Sequence, residues 1–176
     1  MTPLPAVFAW ICLGCVPPPE VRVTEGVDAR AFRRFLVPPF SDDRGLGVRY
    51  ALEFSGGLRD MDFDVVGEEQ AAAGFAALGM RKGEAPGMND LLELRKLTGA
   101  DAAVIGNVDC GSPGKGRVSV LVLDTAKGET AVQADYRPRS CGSRAEAATV
   151  MREVLDALGR VLGARRRRTL EEDGFR

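Results

Sequence analysis

The chain of 176 residues contains no histidine. That removes the commonest general base, metal ligand and physiological pH switch. Ser–His and Cys–His nucleophile pairs go with it. No run of ~18 apolar residues occurs, which excludes a membrane-spanning helix. Charge of one sign is also lacking: 24 basic against 25 acidic residues give a formal net charge of −1, so no global field favours nucleic acid. The four cysteines fall into two pairs, Cys12 with Cys15 and Cys110 with Cys141. Neither pair has the closely spaced double knuckle of a zinc site. Cys12-Leu-Gly-Cys15 has the C-x-x-C form of a redox motif but runs into Val16-Pro17-Pro18-Pro19, which does not open a helix as that motif requires. What is present, 45% hydrophobic and 28% charged residues, fits one globular domain with its own core.

The N-terminus reads as an address. Ala6 to Gly14 form an apolar stretch of the length of an export-signal core, too short to span a bilayer. Pro3 and Pro5 argue against the other reading, a buried first strand. Leu13-Gly14-Cys15 resembles the bacterial lipobox, with lipidation expected at Cys15. Cys12 stands where an aliphatic residue is usual, and residues 1–14 hold no Lys or Arg, where such signals begin basic. A start codon further upstream would restore a basic leader. Diacylglycerol on the Cys15 sulfur plus an N-acyl chain would supply the two or more tails that stable anchoring takes. The expected organisation is a signal segment over 1–15, a Pro-rich extended spacer over 16–32, one α/β domain over 33–163 and a charged tail over 164–176.

Within the domain, 33–40 is an apolar strand stopped by Pro38-Pro39, and Ser41 or Asp42 is placed to cap a following helix. Val48, Leu52, Leu58 and Met61 recur at mostly helical spacing. Gly56-Gly57 weaken that helix by roughly 1 kcal/mol each, and close packing against the sheet would account for them. A short strand at 63–67 leads into an alanine-rich helix over 68–80. Asn89 is expected to cap the next helix, which Gly99 stops. Residues 100–110 are a nearly continuous apolar run, hence a central strand. Strands at 117–125 and 130–138 follow after turns. Ser143-x-x-Glu146 is a capping box, and an apolar stripe from Ala147 to Leu162 ends at Gly163. The expected order is β-α-β-α-α-β-β-β-α: a three-layer-like α/β sandwich with a mixed sheet.

This order, with "FLVPPFSDD", "FDVVGEEQAAAGFAALGM", "LRKLTGADAAVIGNV" and "VSVLVLDTAKGE", resembles a group of bacterial envelope lipoprotein domains. The group includes the curli secretion-channel lipoprotein, the lipoprotein activator of penicillin-binding proteins and the N-terminal domain of the Tol β-propeller protein. The resemblance covers about residues 33–163. It implies a periplasmic domain held to a membrane by an N-terminal lipid, working through protein–protein contact, with no catalytic residue, no cofactor and no metal. The partner would be an envelope protein or further copies of the chain; neither nucleic acid nor a small-molecule substrate is expected. The curli-type channel inserts long hairpins whose strands need ~9–11 residues to cross a bilayer. The short turns at 111–116 and 126–129 leave no such segment, so an accessory role fits better than a pore. Val16 after the anchor carries no inner-membrane retention signal, which favours the outer membrane.

An oxidising periplasm would allow a Cys110–Cys141 disulfide. If the 117–125 strand lies between the two, two strand spacings of ~4.8 Å leave ~9.6 Å to cover, beyond disulfide reach. "RPRSCG" must then fold back; otherwise two partly buried thiols remain. Asp42, Asp43, Asp60, Asp62 and Asp64 lack calcium-loop spacing and read as solvated charges. "GLG" at 45–47 and "GSPGKG" at 111–116 lack the features of a phosphate loop. The run 165–168 is followed by Glu171, Glu172 and Asp173, which offset it.

Overall fold

The computed structural model describes residues 16–80, 86–111 and 116–164. Seven strands and four helices follow one another: β1 (Glu20–Val23), a short 3-10 turn (Ala29–Ala31), β2 (Arg34–Leu36), β3 (Ser41–Asp42), α1 (Gly47–Asp60), β4 (Asp64–Val65), α2 (Glu68–Ala77), α3 (Met88–Thr98), β5 (Ala102–Asp109), β6 (Arg117–Asp124), β7 (Glu129–Tyr136) and α4 (Arg144–Leu162). They build one mixed sheet of order β1-β7-β6-β5-β2-β4, with β3 paired to the far end of β5. The β5-β6-β7 meander and β1 are antiparallel, whereas β2, β3 and β4 join in parallel. The α/β class, the mixed sheet and the central place of the 100–110 strand are those the sequence implies.

Strand periodicity sends alternate residues to opposite faces. Ala102, Val104 and Val108 of β5 and Val118, Val120 and Val122 of β6 face α1 and α4, where Tyr50, Phe54, Leu58, Met151 and Leu158 complete the larger core. Ala103 and Leu123 turn to the other face and pack with Leu36, Val66, Leu91 and Leu94 under α2 and α3. Burying each such Leu, Val or Phe side chain contributes about 1.5–3 kcal/mol.

The caps are local chemistry. Ser143 Oγ accepts from the Glu146 N–H at 3.3 Å, and the Glu146 carboxylate accepts from the Ser143 N–H at 2.9 Å. Gly163 and Gly99 close α4 and α3 at φ 71° and 69°, a left-handed conformation that glycine adopts without a β-carbon penalty. Leu46 is the N-cap of α1 and makes no side-chain cap bond; Asp42, in the loop before it, takes over that task from outside the helix, accepting from the backbone N–H groups of Arg44, Leu46 and Gly47 at 2.7, 2.8 and 2.5 Å.

Four expectations are revised. The 33–40 strand shortens to β2, because Pro38 and Pro39 interrupt the ladder, and Ser41–Asp42, expected in the loop after it, pairs with β5 as β3. Gly87, not Asn89, is the N-cap of α3; its N–H donates to Asp90 at 2.9 Å. Gly57 is small for the sake of α4 and not of the sheet: a β-carbon there would overlap Leu155, while Gly56 faces open space. Residues 20–23, assigned to the spacer, are extended as expected but pair with β7 in the register Glu20–Asp135 to Val23–Val132. Docking begins earlier still, since Val16 packs on the larger core.

Candidate interaction surface

Among the described residues, helices α2 and α3 pack on Leu36 of β2, Ala103 of β5 and Leu123 of β6, and Met88 reaches Gly128 at the β6–β7 turn. The rest of that face of the sheet carries two rows that run across the strands: Glu20–Asp135–Ser119–Asn107 and Arg22–Gln133–Leu121–Ile105. Ile105 and Leu121 are half-buried, packed at the margin of the smaller core. The polar members are organised by their neighbours. Arg22 pairs with Glu20 at 2.7 Å, and Arg117 with Asp135 at 3.1 Å. Gln133 Nε2 donates to the second Asp135 oxygen at 2.6 Å. Burial pushes the Asp135 carboxyl up, but the hydrogen bonds from Arg117, Gln133 and Ser119 outweigh it and hold the group below its ordinary value. The result is a half-sheet with apolar and charged stripes that ends at β1, the edge strand among the described residues.

The end of the molecule at the C-terminus of β7 is tied together by side chains. Cys110 and Cys141 form a disulfide with Cα atoms 5.6 Å apart. β6 does lie between their strands, as the spacing argument supposes. The 137–141 connector folds back over its first residues, and Gly116 leaves room: a β-carbon there would sit 2.8 Å from the Cys141 sulfur. The Tyr50 hydroxyl donates to the Cys141 carbonyl at 2.5 Å, and the Tyr136 hydroxyl donates to Glu153. Burial pushes both phenols up to about 12, with Glu146 and Asp42 adding to it for Tyr50, and the Glu153 hydrogen bond and charge for Tyr136. Arg44 reaches from the α1 cap to donate to the Gly111 carbonyl at 3.2 Å.

Cys15 lies outside the described residues, as do 165–168. Asp42 accepts from the backbone N–H groups at the start of α1, and Asp64 pairs with Arg34 at 3.2 Å. Among the described residues no group of three or more carboxylates and cysteines is placed to hold a metal, and no helix is long and apolar enough to cross a membrane. The sequence reading missed β1, although Glu20-Val-Arg-Val23 alternates with period two; the three prolines before it drew the segment toward a spacer. It also passed over Arg137 and Arg139, whose placement depends on the fold-back of the connector.

No family model and no curated sequence matches the chain. Solved structures do. The PelC dodecamer from Paraburkholderia phytofirmans aligns with a TM-score of 0.51 at 16% identity, over 84% of this chain and 99% of that one. Lipoprotein GNA1162 from Neisseria meningitidis aligns at 0.52 and 16% identity, over 72% and 96%. The LpoB C-terminal domain from Salmonella enterica aligns at 0.43 and 14% identity, over 63% and 84%. The likeness is one of fold: the chain has the α/β architecture of the lipoprotein domain group that its motifs resemble.

Proposed function

We propose that the chain is a lipid-anchored accessory protein of the bacterial envelope that acts by protein–protein contact at the periplasmic face, without catalysis. The observation that carries this reading is the half-sheet, a preformed surface of paired charges around Ile105 and Leu121 that ends at the edge strand β1. Three features support the compartment: the fold shared with a lipoprotein, the Leu13-Gly14-Cys15 signal, and a disulfide of the kind an oxidising compartment maintains. The outer membrane is the preferred site. A second reading, a subunit of an oligomeric secretion or assembly complex, draws on the fold shared with a dodecamer.

The test places a photo-crosslinking residue at Leu121 in natively expressed protein and takes intact masses from membrane and soluble fractions. A membrane-bound species beginning at Cys15, heavier by a lipid moiety and forming one defined adduct, is expected. An adduct of two copies, with a stable ring in detergent, selects the oligomer. A soluble, unmodified chain that keeps residues 1–14 and forms no adduct refutes both readings.

A further inference from the structure

A free spacer over 16–32 would let the domain stand up to ~60 Å from an anchored Cys15. The fold does not allow that. Val16 is half-buried on the core, so the chain is docked one residue after the cysteine. Val16 lines a groove of about 470 Å³ together with Pro138 and Arg139. Pro17 and Pro18 line a second groove, of about 400 Å³, together with Arg117 and Arg137. The first described residues are therefore flanked by Arg139 on one side and Arg137 on the other.

Both arginines are exposed, and neither has an ion pair among the described residues. The acids of the two grooves are committed elsewhere. Glu20 holds Arg22, Asp135 holds Arg117, Glu146 caps α4, and Glu153 accepts from Tyr136. With cations and acids nearly balanced, this end does not recruit the protein from solution. Two exposed guanidinium forks beside a tether, without an ion pair among the described residues, are different. The tether supplies a high local concentration of headgroups, and arginine matches phosphate oxygens bidentately.

We propose that this end of the domain lies against an anionic phospholipid surface, with Arg137 and Arg139 on lipid phosphates, so that the anchor fixes the orientation of the domain as well as its location. The proposal rests on the anchoring of Cys15 proposed above. It turns the β6–β7 turn, at the opposite end of the strands, away from the bilayer.

The experiment uses the natively processed protein with one tryptophan reporter, Ser140→Trp or Lys127→Trp; Trp10 is also changed to Phe so that any unprocessed chain carries no second tryptophan. Each protein is reconstituted into vesicles of phosphatidylcholine, with or without phosphatidylglycerol, that carry a lipid quencher brominated near the glycerol. In phosphatidylglycerol vesicles the reporter at 140 is expected to be quenched several-fold more than the one at 127. High salt or pure phosphatidylcholine should reduce the difference, and Arg137→Gln and Arg139→Gln should each lower the equilibrium constant for the oriented state by about fivefold, bringing the two reporters toward equal quenching. Anchored protein whose two reporters are quenched alike, or whose bias survives both substitutions, overturns the proposal alone. Protein that sediments with neither kind of vesicle refutes the anchor, and the proposal with it.

Discussion

Gly106 sits in the middle of β5, directly under the ring of Phe40. In a strand interior with open space, replacing glycine by alanine stabilises by roughly 0.5–1 kcal/mol, because glycine loses more backbone freedom on folding. At this position the sign should reverse. A β-carbon on residue 106 would overlap three ring atoms of Phe40. The ring has little room to retreat: Phe40 is 2% exposed, its centroid lies 5.7 Å from that of Phe54, and its N–H donates to the Gly47 carbonyl at 3.1 Å. Overpacking of a filled core costs about 1–3 kcal/mol, so G106A should destabilise by a net ~1–2 kcal/mol. F40L alone should cost ~1–2 kcal/mol as a large-to-small change. In the double variant the new methyl occupies space that the ring vacated, and a coupling of at least ~1 kcal/mol in favour of the pair is expected. Urea unfolding of the four proteins reads this directly. With a slope of about 2 kcal/mol per molar, the middle of the usual range, G106A should lower the midpoint by roughly 0.5–1 M. A raised midpoint for G106A, or strictly additive losses, would show that Phe40 does not hold residue 106 to glycine.

Other outcomes follow from features already described. Reduction, or the pair C110S and C141S, should lower stability by about 3–4 kcal/mol in the chain-entropy model for a 31-residue separation; an unchanged urea midpoint after complete reduction would oppose this. Asp42 is held below its ordinary value, burial working against it and the N–H groups of Leu46, Arg44 and Gly47 prevailing. Its contribution is therefore complete above pH ~4 and lost as the pH falls through the lowered value. D42A should cost about 1 kcal/mol at neutral pH and flatten the acid limb of the stability curve, and an unchanged acid limb would count against the cap. The only two tyrosines in the chain, Tyr50 and Tyr136, are both pushed up to about 12, chiefly by burial. Near-ultraviolet absorbance should show no phenolate in the folded protein at pH 10, and stability should fall between pH 10 and 12. Phenolate at pH 10 without loss of stability would place either hydroxyl in water.

The parts of the fold legible in the sequence are those in which local chemistry and burial agree. The α4 stripe with its Ser143–Glu146 box, the glycine stops at 99 and 163, and the apolar run of β5 needed no tertiary information. The misplacements arose where tertiary contact decides. Glu20–Val23 has the alternation of a strand, but an edge strand of four residues gains its stability only from β7, more than a hundred residues away. Gly57 was legible as a residue that must be small, though not as a contact for Leu155. The surface was the least legible part. Its rows combine residues from four strands, and register, which no single segment contains, puts Arg22 beside Gln133 and Asp135 beside Glu20. The Cys110–Cys141 spacing pointed to the right obstacle, the width of β6, but not to the bare Gly116 that lets the bridge pass over it.

β1 also has a protective meaning. Without it, the eight residues of β7 would end the sheet as a long, regular row of unpaired amides, a template for edge-to-edge association. The strip that covers them is four residues long, carries charge at Glu20 and Arg22, and is preceded by three prolines that cannot extend the ladder. Its pairing closes the widest sequence separation in the sheet, so loop-closure entropy makes it a late step in folding. A chain trimmed past Val23, or one with a bulky fusion there, would keep the meander and its core yet leave β7 bare. Aggregation of such trimmed chains, and not loss of helix or sheet content, is the failure this architecture sets up.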